Sequence, residues 1–74
     1  MLGKHNQKVL TALGEKLKKA RKKTGLTQEK VAEKAGIHVN FYARVERGEE
    51  NPSFEVLNKI AKILKVKSSN ILPI

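Results

Sequence analysis

The sequence predicts an all-α domain, and three observations carry that prediction. Val9, Leu10, Leu13, Leu17 and Ala20 recur at the three-and-four spacing of one helix face, with lysines around the remainder. Gln28 to Arg47 reads as two short helices broken at Gly36. Beyond Ser53, the residues Phe54, Leu57, Ile60, Ala61 and Leu64 repeat the helical spacing, flanked by Val56 and Ile63.

Taken in order, residues 1–8 hold too few apolar groups for a core element, and they are expected to form a flexible basic arm. Residues 9–74 form a single domain. The first helix runs from Val9 to a stop before Gly25, with Asn6 or Thr11 as its cap. Gly14 weakens its middle by about 1 kcal/mol relative to alanine. The lysines around it, Lys18, Lys19, Lys22 and Lys23, read as a solvated face. Leu26 precedes Thr27, which caps a second helix from about Gln28 to Ala35. Gly36 supplies the left-handed residue that ends it, and Ala32 leaves room for a close helix crossing. A third helix follows from Val39 to Arg47 and stops at Gly48. The loop from Gly48 to Ser53 is rich in turn residues, and Ser53 caps the fourth helix, which ends near Lys65 and Lys67. Ser68 to Leu72 is expected to add a fifth helical turn before Pro73.

Two helices joined through a glycine corner have the shape of a helix-turn-helix, whose second helix enters the DNA major groove. On the third helix Tyr42 and Val45 face the core, while Asn40, Ala43, Arg44 and Arg47 fall on the opposite side. The small Ala43 at the centre of that face permits close approach to base edges. Arg44 has the donors for guanine O6 and N7, Asn40 suits adenine N6 and N7, and Val39 suits a thymine methyl. His38, at the cap position, either donates to DNA or only caps. Gln28, at the first position of the second helix, is placed for phosphate. Glu46 lies toward the buried edge and needs a partner, for which Arg21 is the candidate; two independent surface charges are the alternative.

Composition narrows the partner. Sixteen lysines and arginines against seven acids give a formal charge of +9 on 74 residues, which favours a phosphate backbone. There are no cysteines, which removes disulfides, thiolate zinc sites and thiol catalysis. His5 and His38 lack a further metal ligand at useful spacing, so no metal or cofactor is expected. No carboxylate pair, nucleophile–base set or phosphate-cradling glycine loop supports an enzyme. The aromatics Phe41, Tyr42 and Phe54 are largely wanted by the core, which disfavours RNA. No stretch is apolar enough for a signal peptide or membrane span, so a soluble cytoplasmic protein is expected.

The runs Leu13-Gly14-Glu15-Lys16-Leu17-Lys18-Lys19-Ala20-Arg21, Gly25-Leu26-Thr27-Gln28-Glu29-Lys30-Val31-Ala32, Ala35-Gly36-Ile37 and Val45-Glu46-Arg47-Gly48-Glu49-Glu50-Asn51-Pro52-Ser53 together resemble the lambda-repressor-like DNA-binding domain of the XRE, or Cro/C1, family. The resemblance spans residues 13 to 72. It implies a compact five-helix domain with the second and third helices as the reading unit, and a homodimer on a near-palindromic operator. It implies base contacts from His38, Val39, Asn40 and Arg44, phosphate contact from Gln28, and a structural ion pair between Arg21 and Glu46. Arg47, Asn51 and Lys30 complete the expected phosphate-contacting set. Tyr42 departs from the family's usual aliphatic residue, which means either an enlarged core or a hydroxyl reaching the surface. Phe41 can pack on the second helix or face DNA. Glu49 and Glu50 stand where some phage members carry lysines.

The expected function is sequence-specific binding of double-stranded DNA by a transcriptional regulator, with no small-molecule effector evident. Ile63, Ile71 and Ile74 are candidates for the dimer interface. The apolar C-terminus and acidic loop motivate an alternative from another class: an antitoxin or bridging coactivator that uses the fold mainly to hold proteins.

Overall fold

A computed structural model describes residues 3–67, with side chains from residue 7 onward. Among them the chain forms four helices and no strand: α1 (Gly3–Thr24), α2 (Gln28–Ala35), α3 (Val39–Glu46) and α4 (Phe54–Ile63). α3 packs against both α1 and α2, and α2 also packs against α4. The core takes Leu13, Leu17 and Ala20 from α1, Val31, Ala32 and Ala35 from α2, and Tyr42 and Val45 from α3. Leu57, Ile60, Ala61 and Leu64 complete it.

Four local stops set these boundaries, and three are alike. Gly36 (φ 72°), Gly48 (φ 77°) and Lys65 (φ 61°) each adopt the left-handed conformation after a helix. In each case the next N–H reaches back five residues: Ile37 to the Ala32 carbonyl at 3.0 Å, Glu49 to Arg44 at 2.8 Å, Val66 to Ala61 at 3.0 Å. This satisfies carbonyls that a helix end leaves open. α1 also ends at a left-handed glycine, Gly25 (φ 78°), but there the next N–H is taken by a side chain: Thr24 Oγ1 donates to the Arg21 carbonyl at 2.7 Å and accepts from the Leu26 N–H at 3.3 Å.

Several expectations change. α1 begins at Gly3, not Val9, so residues 3–8 of the segment expected as an arm are helical. Lys4 to Lys8 contains no proline, glycine or β-branched residue that would oppose this. Val9 is 42% exposed although it sits on the apolar stripe. The end of α3 and its loop meet α1 at Thr11 and Gly14, and Val9 lies before that contact. Phe54, expected on the main face of α4, is 65% exposed. It is the first residue after the Ser53 cap, where side chains lean back toward the polar loop, and Val56 takes a half-buried place instead. The fold has four helices among the described residues where five were expected. Lys65 turns the chain out of α4, and the expected fifth turn, Ser68 to Leu72, lies outside the described residues.

Gly14 has a tertiary role that its position in a helix conceals. A Cβ there would meet the Glu46 carbonyl oxygen and stand 2.6 Å from that of Val45. A Cβ at Gly48 would lie 2.9 Å from Thr11 Cα. The two glycines let α1 rest directly on the backbone at the end of α3.

Candidate nucleic-acid interface

The corner is built from caps outward. Thr27 Oγ1 accepts the Lys30 N–H at 3.1 Å and starts α2. Three residues after Ala35, His38 Nδ1 accepts the Asn40 N–H at 3.0 Å and starts α3. That bond makes Nδ1 the acceptor and leaves Nε2 of the neutral imidazole as the donor, so His38 caps the helix and still offers an outward hydrogen bond. Ile37, Val39 and Phe41 are partly buried against the core. Of the two readings for Phe41, packing within the domain is the one observed.

One hydrogen-bonded network fixes α3 against the rest of the domain. Arg21 Nε donates to Glu46 Oε2 at 2.7 Å and Nη2 donates to Oε1 at 3.2 Å, while Nη1 donates to the Leu26 carbonyl at 3.1 Å. Gln28 Nε2 donates to the same Glu46 Oε1 at 2.9 Å. Thus α1 and the start of α2 converge on one carboxylate at the end of α3 whose side chain is 3% exposed, and the same Arg21 ties in the turn before α2. Independent surface charges are not what the structure contains. Burial by itself would push the Glu46 carboxyl up, but the hydrogen bonds from Arg21, with that from Gln28 adding to them, outweigh it and hold the group below its ordinary value. The bond to Glu46 likewise holds the Arg21 guanidinium above its usual value.

Tyr42 lies under this network and is fully buried. The enlarged-core reading is therefore the one realised, and the hydroxyl does not reach the surface. It is close enough to Glu46 and Arg21 to feel their charges, yet it meets no partner at hydrogen-bonding geometry. Burial first, and the Glu46 carboxylate second, push its ionisation far above that of a free phenol.

The outer side of α3 carries the candidate readers. His38 and Asn40 are exposed, and Val39, Ala43 and Arg44 are half-buried. A shallow concavity between the helix starts is bordered by Arg21, Thr27, Gln28, Glu29, Val39 and Asn40. Gln28 thus sits at its rim with one amide N–H committed to Glu46 and the other available. Lys30, Arg47 and Asn51 are exposed nearby in sequence, as an interface with phosphate requires. Lys16, Lys18, Lys19, Lys22 and Lys23 are all exposed on α1.

Arg44, Arg47 and Lys30 are already paired with acids of the chain. Arg44 Nε donates to Glu50 Oε2 at 3.0 Å, and Arg47 donates to Glu49 through Nε and Nη2, both at 3.1 Å. Lys30 Nζ lies 3.3 Å from Glu33 Oε1. The hydrogen bond with Glu49 raises the Arg47 guanidinium, and the same bond lowers the Glu49 carboxyl. The sequence showed Glu49 and Glu50 as an acidic loop standing where some phage members carry lysines, not as partners of Arg44 and Arg47. The signal was the glycine at 48, because a left-handed reversal at the end of α3 turns the next residues back toward its last turn.

Ile63 is half-buried against the core, and Ile71 and Ile74 lie outside the described residues. Among the described residues there is no cluster of side chains that could hold a metal ion. None of the described helices is long and apolar enough to cross a membrane.

Comparison with known proteins supplies the context of this geometry. A helix-turn-helix family profile matches residues 17–70. The chain is 33% identical over 61 residues to the HTH-type transcriptional regulator SinR of Bacillus subtilis, covering 81% of this chain and 55% of SinR. It is 37% identical over 60 residues to the immunity repressor protein of Bacillus phage phi105, covering 81% of this chain and 42% of that protein. It spans about half the length of these curated relatives. Among solved structures, the restriction-modification controller protein C.AhdI from Aeromonas hydrophila superposes with a TM-score of 0.80 at 31% identity, covering 84% of this chain and 94% of that one.

Proposed function

Because the chain belongs to the Cro/C1-type helix-turn-helix family of transcriptional regulators, we propose that it binds double-stranded DNA sequence-specifically, as a homodimer on a near-palindromic operator. α3 lies in the major groove. His38, Val39, Asn40 and Arg44 contact bases, and Gln28, Lys30, Arg47 and Asn51 contact phosphate. Ile63, with Ile71 and Ile74, contributes to the dimer. The site of action is the cytoplasm, on the nucleoid when bound.

The observation that carries this reading is the convergence of Arg21 and Gln28 on Glu46, which holds α3 rigidly with Asn40 and Arg44 on its outer side. A preorganised reading helix pays less entropy on binding than a mobile one. The charge of +9 supplies the sequence-independent attraction to phosphate.

Selection from random duplexes tests the reading directly. A motif with half-sites about 34 Å apart, one helical turn, is expected. Arg44→Ala relaxes preference at one base pair by roughly 1 to 3 kcal/mol, whereas Gln28→Ala weakens all sequences evenly. Failure to enrich any motif overturns the proposal.

A further inference from the structure

We infer that Glu50 is a specificity-determining positioning residue, which holds the Arg44 guanidinium by its Nε so that the terminal nitrogens are set in advance for guanine. The inference rests on the reading of Arg44 as a base contact. Arg44 donates to Glu50 Oε2 through Nε at 3.0 Å, and among the described residues neither Nη1 nor Nη2 carries a hydrogen bond. A guanidinium is planar and rigid, so anchoring Nε orients the whole fork. The edge left open is the one whose two donors match guanine O6 and N7.

The backbone that carries this carboxylate is anchored on both sides. Gly48 takes the left-handed conformation, and the Glu49 N–H donates to the carbonyl of Arg44 at 2.8 Å, tying the loop to the residue it serves. Pro52 is buried, and Ser53 Oγ accepts the Val56 N–H at 3.1 Å to open α4. Glu50 is therefore held between two fixed points. The neighbouring pair differs: Arg47 gives Glu49 both Nε and Nη2, and its members are 57% and 50% exposed against 41% and 35% for Arg44 and Glu50. Only Arg44 keeps both terminal nitrogens open beside a half-buried carboxylate. Freezing a long side chain before binding lowers the entropy lost when it meets a base, and it penalises bases that do not match the preset direction.

The test compares the full chain with Arg44→Ala, Glu50→Gln and Glu50→Asp on the selected duplex, on the same duplex changed at the guanine read by Arg44, and on non-specific DNA, with thermal midpoints recorded. The wild type should discriminate at that base pair by roughly 5- to 150-fold. Glu50→Gln should lose most of this discrimination while its affinity for non-specific DNA holds or rises, since a negative charge is gone. Glu50→Asp keeps the charge but shortens the reach, and it should lose discrimination without the non-specific gain. Discrimination retained in both Glu50 variants overturns the inference, as does an equal tightening on all three duplexes, which would make Glu50 a competitor of DNA. A loss of affinity on all three duplexes together with a lowered midpoint also overturns it. Should the wild type itself prefer no sequence, the DNA-reading proposal fails and the inference falls with it. If Arg44→Ala abolishes the preference and the Glu50 variants do not, only the inference fails.

Discussion

Arg21 and Glu46, 25 positions apart in the chain, meet through two parallel hydrogen bonds, with the carboxylate the more deeply buried partner (3% exposed against 13%). This fork-to-fork geometry links the end of α1 to the end of α3. Removing the arginine would strand a charge that water can hardly reach. Arg21→Met is expected to destabilise the domain by about 2 to 3 kcal/mol, toward the low side for buried pairs because Gln28 still donates to Glu46. Urea unfolding measures it, and an unchanged midpoint would show the pair to be energetically idle.

The same carboxylate sets an acid limit. Glu46 titrates below its ordinary 4.5 in the folded state. A depressed folded value means that the unfolded chain takes up the proton first, so the contribution is complete above about pH 4.5 and is lost as pH falls through the folded value. Unfolding free energy followed between pH 7 and pH 3 should drop more steeply below that point for the wild type than for Glu46→Gln.

Gly14→Ala should destabilise by about 1 to 3 kcal/mol, the range for overpacking a tight contact. In an open helix the same change would stabilise by about 1 kcal/mol. The sign alone is diagnostic, because the added methyl must displace the backbone carbonyls of Val45 and Glu46. Thermal unfolding of the two proteins side by side decides it.

Tyr42→Phe should leave stability unchanged or raise it by up to about 1 kcal/mol, since the hydroxyl is buried without a partner at hydrogen-bonding geometry. A loss of about 1 kcal/mol would show instead that the hydroxyl donates to Glu46 in solution.

Lys65 holds a left-handed conformation at φ 61°, where the other two reversals of this type use glycine. Lys65→Gly removes that strain and should raise stability by up to about 1 kcal/mol. Calorimetry gives the shift, and a decrease would mean that the side chain contributes more than the backbone costs.

What could be read from the sequence was mainly what the chain decides locally. Thr27, Gly36, Gly48 and Ser53 act on backbone within a few residues of themselves, and their roles as caps and stops were visible from type and position. The inward residues Leu17, Tyr42, Val45 and Ile60 followed from helical spacing, and Ala32 from the close crossing of two helices. Contacts across the fold were harder. Gly14 looked like a weak point because nothing in its own helix announces the backbone that lies against it. Phe54 looked buried because spacing cannot tell that a helix start has no neighbour over it. Glu46 required a partner by its position, but the choice between an Arg21 pair and two separate charges needed the family pattern or coordinates. The Arg44–Glu50 contact was not visible, since it depends on the direction in which the chain leaves Gly48.

The three matching reversals at Gly36, Gly48 and Lys65 also bear on how the domain assembles. Each is closed by bonds spanning no more than five residues, so the ends of α2, α3 and α4 are defined before distant segments meet. Loop-closure entropy then weighs on the two packings between distant segments, α1 against the end of α3 and α2 against α4. The domain is expected to fold on the order of microseconds to milliseconds, as locally connected helical proteins do. Gly14 and Arg21 lie at the first of these two junctions, whose late formation would slow it.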